Sequence, residues 1–322
     1  MDLSIASLAS NLLAPTILFF ILGLVAAIAR SDLSIPDGAA KIMSIYLLLA
    51  IGFKGGVAVA ESGVDSQMIA SLGAGAVLSF VLPFIAYWLL RIMTRLDPLN
   101  ASAVAGHYGS ISIVTFVTAV NLLEGRGLGF EGYLVAVAAV MEVPAIMSAL
   151  WLAARRAGTA SSDNSLLRHI IGNGSIVLLI GSFAIGAITG EAGLIELKPF
   201  IVVPFTGVLA VFLLDMGLSA GKSLLEHRKD ISGGLLAFGC IMPLIGSLFG
   251  LAAGVLIGLS TGGIFLMMVL SASASYIAVP AAMRLALPQA KSGIYLSLAL
   301  GVTFPFNLTL GLPIYFLLAN LI

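Results

Sequence analysis

The chain has 322 residues, of which 60% are hydrophobic and only 9% charged, with mean hydropathy +1.15 and a formal net charge of zero. A soluble domain carries roughly 25% charged residues, so this chain cannot coat a water-facing surface of normal size and its solvent is largely the lipid bilayer. Zero net charge offers no field for nucleic acid, and the single Cys240 excludes an intrachain disulfide and a cysteine metal set.

A membrane span takes about 20 mostly apolar residues. Ten such segments follow one another: 11–29, 37–60, 67–92, 98–122, 129–154, 169–188, 199–220, 232–257, 261–285 and 291–320. Met1–Ser10 holds Asp2 and no Lys or Arg, unlike a secretory n-region, so segment one is expected to be retained as a helix. Segment two ends near Lys54, and segment seven contains Asp215. Snorkelling or a local ion pair explains these two charges as well as a functional role does. Segments four and nine cluster Gly and Ser at their centres and are expected to be discontinuous. Segment five carries Glu142 13 residues from its start at 129, about 20 Å along at helical rise. Pro144 follows closely. The polar stretch Arg155–Arg168 divides the chain into a first five-helix unit (1–155), a short cytoplasmic linker (156–168) and a second five-helix unit (169–322).

Orientation follows the basic residues. Arg30, Lys41, Arg91, Arg95, Arg155, Arg156, Arg168, Lys222, Arg228, Lys229, Arg284 and Lys291 fall on one side, and Lys54, Arg126 and Lys198 on the other. That bias predicts a multi-pass protein of the cell inner membrane with both termini on the outer face. The halves also repeat. Leu49–Gly56 resembles Leu214–Gly221, Pro83 matches Pro243, Ser110-Ile111-Ser112 matches Ser273-Ala274-Ser275, and Pro144 matches Pro305. The offsets are 165, 160, 163 and 161 in chain order. Five spans per unit force the second copy to enter from the opposite side, so the repeat is inverted, as in secondary transporters.

The chemistry concentrates at His107-Tyr108-Gly109-Ser110-Ile111-Ser112 and Ser271-Ala272-Ser273-Ala274-Ser275-Tyr276. If both segments break there, two half-helix N-termini meet near the midplane, where N–H groups and dipole suit a small anion. Freed carbonyls and hydroxyls suit sodium. Tight packing by small residues is the bland alternative. Glu142 is a second candidate, since a carboxyl at that depth is costly, with a structural hydrogen bond between helices as the alternative. Asn307 and Thr309 offer neutral oxygens in the matching part of segment ten. His107 is either a packing residue or a pH sensor. No catalytic motif is present, so no enzyme activity and no organic cofactor are expected.

At these residues the chain resembles the sodium-dependent bicarbonate transporter family, first known from cyanobacteria. The resemblance covers nearly the whole chain. It is most specific in Tyr108-Gly109-Ser110-Ile111-Ser112-Ile113-Val114-Thr115, in Met141-Glu142-Val143-Pro144-Ala145, and in Ser271 to Pro280 continuing to Arg284 and Pro288. It implies an all-α membrane protein of ten helices in two inverted five-helix repeats, with gate and core domains drawn from both repeats. It further implies crossed discontinuous helices four and nine, homotrimeric assembly, and bicarbonate uptake coupled to sodium by an elevator-type mechanism. By motif position, Gly109, Ser110, Ser112 and Thr115 look like the first half of a substrate site, and Ser273, Ser275 and Tyr276 like the second. Ser112, Ser271, Ser275, Glu142 and Asn307 are the candidate sodium ligands. Tyr276 departs from the cyanobacterial pattern, which has Asp after the serine run, and Ala278-Val279-Pro280 stands where that pattern has Ser-Gly-Pro. A divergent branch can carry another small anion, such as a monocarboxylate, with sodium or a proton; an anion channel is the remaining transport class. The long cytoplasmic insertion is reduced here to Arg155–Arg168, so a PII-like regulator would have to dock elsewhere.

Overall fold

The computed structural model describes residues 15–63, 65–157, 174–226, 231–276, 279–280, 282–283 and 287–322. Met1–Ser10 and most of the linker lie outside these. The described residues form helices and no strands. They are α1 (Pro15–Ile28), α2 (Asp37–Ser62), α3 (Ser66–Met93), α4 (Pro98–His107), α5 (Ile113–Gly125), α6 (Leu134–Val140), α7 (Glu142–Ala157), α8 (Gly174–Ile201), α9 (Phe205–Glu226), α10 (Gly233–Ile257), α11 (Thr261–Ser271) and α12 (Ser292–Ala319). Among the described residues, seven helical runs are long and apolar enough to cross a membrane, and α1, α5 and α11 are shorter apolar helices.

Local chemistry sets the boundaries. Asp65 caps α3 through Met68 N–H at 2.7 Å, and Ser260 caps α11 through Gly263 N–H at 3.1 Å. Asp97 caps α4 through the N–H groups of Leu99 and Asn100. Burial alone would raise the Asp97 carboxyl, but the bonds donated by Asn100 and Leu99 outweigh it and hold the group below its ordinary range. Asn100 in turn accepts Lys291 N–H at 2.7 Å, tying the start of α4 to the start of α12.

Two boundaries differ from the sequence reading. The stretch 189–198, expected as a loop, is helical, and α8 runs to Ile201 across a break at Gly190 with φ 57°. Beyond Gly190 most residues are exposed. Glu191, Glu196 and Lys198 interleave with Leu194 and Ile195, a pattern that a helix at a polar boundary accommodates. The seventh segment starts at Phe205, just after Pro204, and continues to Glu226. Gly221 does not stop it, because that glycine packs against Ala27 of α1.

The helices sort into two groups by packing. In the first, α2 lies along α8, and α1 along α9. Both crossings are glycine contacts. A Cβ on Gly23 would strike the Leu214 carbonyl, and one on Gly217 the Phe20 carbonyl. A Cβ on Gly56 would strike the Phe183 carbonyl, and one on Gly186 the Phe53 carbonyl. Close backbone approach of this kind is how helices associate where lipid supplies no hydrophobic drive. In the second group, α3 packs on α4, α7 and α10, and α10 packs along α11. Polar contacts across the seam include Lys54–Glu124 at 2.5 Å, Thr206 Oγ1 donating to Asn121 Oδ1 at 2.8 Å, and Ser223 with Ser297 at 2.9 Å.

Candidate functional site: two helix breaks that cross

Segment four breaks as expected. α4 ends at His107, Tyr108 caps it, and α5 restarts after Ser112, whose extended backbone and side chain form the N-cap. Segment nine breaks too. α11 ends at Ser271, and helix resumes around Val279, whose N–H lies 3.4 Å from Ser275 Oγ. The breaks touch directly, for Ser275 N–H donates to the His107 carbonyl at 2.8 Å. A freed carbonyl of one segment is thus satisfied by the other, which an isolated broken helix in a bilayer could not achieve.

The surrounding helices hold this crossing in place. Pro83 of α3 has no N–H for the Ser79 carbonyl, and that carbonyl lies against Gly109, where a Cβ would overlap both it and the Pro83 ring. Pro243 of α10 likewise leaves the Gly239 carbonyl free. Thr303 Oγ1 donates to it at 2.8 Å. With its proton used there, Thr303 accepts from the Tyr108 hydroxyl at 2.7 Å. Asn307 Nδ2 donates to the freed Ala272 carbonyl at 2.9 Å, and Tyr315 donates to Asn307 Oδ1 at 2.8 Å. α12 carries two π-helical stretches, Ala299–Thr303 and Asn307–Gly311, each bearing one of these supporting residues.

The residues of the two Gly- and Ser-rich stretches, with Glu142 and Asn307, lie at or beside the crossing, whereas Lys54 and Asp215 do not. Ser110 donates to the carboxylate of Glu142, which is 8% exposed and opens α7. Ser112 Oγ accepts from Thr115 N–H at 3.3 Å and from Thr115 Oγ1 at 2.8 Å. Ser273 Oγ turns back to the Val269 carbonyl at 2.7 Å, inside its own helix. Asn307 reaches the second break, whereas Thr309 bonds the Pro305 carbonyl of its own helix. Among the described residues, three buried polar atoms, all belonging to the two breaks, lack a hydrogen bond of good geometry: His107 Nε2, Ser271 Oγ and the Tyr276 hydroxyl. The His107 ring stacks on Tyr295 at 4.6 Å and its Nδ1 bonds the Ala103 carbonyl at 2.7 Å. Lys54 pairs with Glu124 and sits 4.8 Å from the Phe205 ring, away from the crossing. Asp215 is buried within α9.

The Tyr108–Thr303–Gly239 relay and the Tyr315–Asn307 bond escaped the sequence reading. Their residues are neutral and ordinary for a membrane helix, and only the freed proline carbonyls hinted that a partner was needed.

The crossing gathers the N-terminus of α5, the serine hydroxyls of both breaks and buried polar atoms without partners into one region. No curated protein matches the chain. Residues 15–320, which include both breaks and all supporting helices, match the profile of the Na+-dependent bicarbonate transporter superfamily. A multi-pass helical chain with this site, matched over almost its whole length, belongs to the Na+-dependent bicarbonate transporter superfamily and is a transporter, not an enzyme.

Proposed function

We propose that this protein is a sodium-coupled symporter of bicarbonate that works by elevator-type alternating access. The observation that carries the reading is the crossing itself: two broken helices joined at Ser275 and His107, with unpartnered buried polar atoms on both sides. The anion would lie among Gly109, Ser110, Ser112, Thr115, Ser273, Ser275 and Tyr276. Sodium would use oxygens from the set Ser112, Ser271, Ser275, Glu142 and Asn307.

The architecture we propose is ten spans in two inverted five-helix repeats. Seven long apolar helices, the short α1, and the broken pairs begun by α4 and α11 add up to ten. The glycine crossings support the inversion. α1 against α9 repeats as α8 against α2, with Gly23 answering Gly186 and Gly56 answering Gly217, at offsets of 163 and 161. The sequence match sets Gly52 beside Gly217, about one helical turn away. On this reading α1, α2, α8 and α9 form the gate domain, and the remaining helices form the core that carries the site. The basic-residue bias supports both termini outside, in the inner membrane. Trimeric assembly rests on the resemblance. A PII-like regulator has little to support it with so short a linker.

Labelled bicarbonate uptake into proteoliposomes, at about pH 8, with and without an inward sodium gradient, tests the proposal. Saturable uptake that requires sodium is expected. Folded protein that takes up acetate or nitrate but not bicarbonate would retain the transporter and replace its substrate. Uptake that never saturates would make it a channel.

A further inference from the structure

We propose that the Tyr276 hydroxyl, together with the Ser112 hydroxyl, is the donor pair that selects the transported anion, an inference that rests on the anion-transport reading above. The argument begins with proton counting. A serine oxygen has one proton and two lone pairs. Ser112 Oγ already accepts twice, from Thr115 N–H and from Thr115 Oγ1. Both lone pairs are engaged, and what remains is its proton. This count takes Ser112 out of the sodium set proposed above, since sodium needs lone pairs, and leaves it as a ready donor to an anion.

Tyr276 approaches from the other break. Its ring is partly buried and set edge-on to Phe304 at 5.2 Å, which fixes the direction of the hydroxyl. That hydroxyl lies near the Ser112 side chain, yet it is buried without a hydrogen bond of good geometry. A phenol ordinarily ionises near pH 10, so at neutral pH it offers a proton. Both donors flank the N-terminus of α5, a 13-residue helix whose first N–H groups and dipole favour negative charge. Ser271 Oγ differs. It is 2% exposed and has no partner at all, so its lone pairs are free for a cation. The crossing thus has a donor side at Ser112, Tyr276 and α5, and an oxygen side at Ser271. All donors on the first side are neutral, which suits an anion of one charge with oxygen acceptors and leaves a second charge poorly compensated.

The test compares purified full-length wild type with Tyr276→Phe. Thermal stabilisation is titrated with bicarbonate, nitrate and acetate, each in sodium and in an inert organic cation. The expected result is an apparent Kd for the preferred anion raised about tenfold or more in Tyr276→Phe, as for a lost hydrogen bond to a charged group. The ligand-free melting temperature should hardly change, because the deleted hydroxyl makes no hydrogen bond of good geometry. Equal anion affinity in the two proteins overturns the proposal. So does a variant that melts lower without ligand while binding the anion normally, which marks the hydroxyl as structural. Stabilisation by nitrate or acetate alone, lost in Tyr276→Phe, upholds the donor assignment and removes bicarbonate as the substrate. A wild type that responds to none of the three overturns both. Should Tyr276→Phe fail to fold, infrared difference spectra of wild type decide: anion binding must shift a tyrosine C–O band, and an unshifted band overturns the proposal.

Discussion

Ser110 and Glu142 illustrate how much one hydroxyl can carry. The carboxyl is buried at the start of α7, and Ser110 is its hydrogen-bond donor. Removing a partner from a buried polar group costs about 1–3 kcal/mol. Ser110→Ala is therefore expected to lower stability by about that amount. Glu142→Gln should cost less, because the amide oxygen still accepts from Ser110, while changing transport rate or coupling. Melting curves and uptake on the same preparations check both, and equal losses of stability would make Glu142 purely structural. Glycine, serine and the deep carboxyl were legible in the sequence because each violates what a plain membrane helix prefers. Tyr108 and Thr303 were not, since their pairing joins positions 195 residues apart.

The breaks are properties of elements, and each element depends on a neighbour. α4 and α5 are interrupted where Gly109 admits Pro83 and the Ser79 carbonyl of α3. α10 meets the second break with the roles exchanged, its own Gly246 lying against the Ser271 carbonyl. Proline in a helix has two effects here: it releases a carbonyl, and its ring shapes the wall behind the break. Gly109→Ala is expected to destabilise the protein by about 1–3 kcal/mol, as overpacking typically does, and to reduce uptake by displacing Ser110 and Ser112 together. Normal melting temperature and normal uptake would show that α3 can retreat. The helical stretch after Gly190 teaches the converse lesson. Its charges suggested a loop, but polar residues on one side of a short helix are compatible with a boundary between lipid and water.

At the scale of the molecule, the two helix groups differ in how they are joined. Within each, glycine crossings and buried bonds lock the helices. Across the seam, Lys54–Glu124 is partly exposed. An exposed pair of this kind is worth about 0–1 kcal/mol. A double-mutant cycle with Lys54→Met and Glu124→Gln should give a coupling energy no larger than about 1 kcal/mol and alter the rate of transport more than the melting temperature. A coupling of several kcal/mol would mean that the seam is welded and would overturn the elevator movement proposed above.

The sequence by itself determined the solvent of this protein, its helical class, the places where helices break, and the serines gathered at those breaks. These follow from local facts: apolar length, the conformational preferences of glycine and proline, and the cost of a charge in lipid. Only the tertiary structure decided which lone pair or proton each hydroxyl still has to offer. Thr115 consumes the acceptors of Ser112, Val269 takes the proton of Ser273, and Ser275 closes the His107 carbonyl through its backbone. The physical reason is that a hydroxyl is both donor and acceptor, and only its neighbours in space determine which role is left.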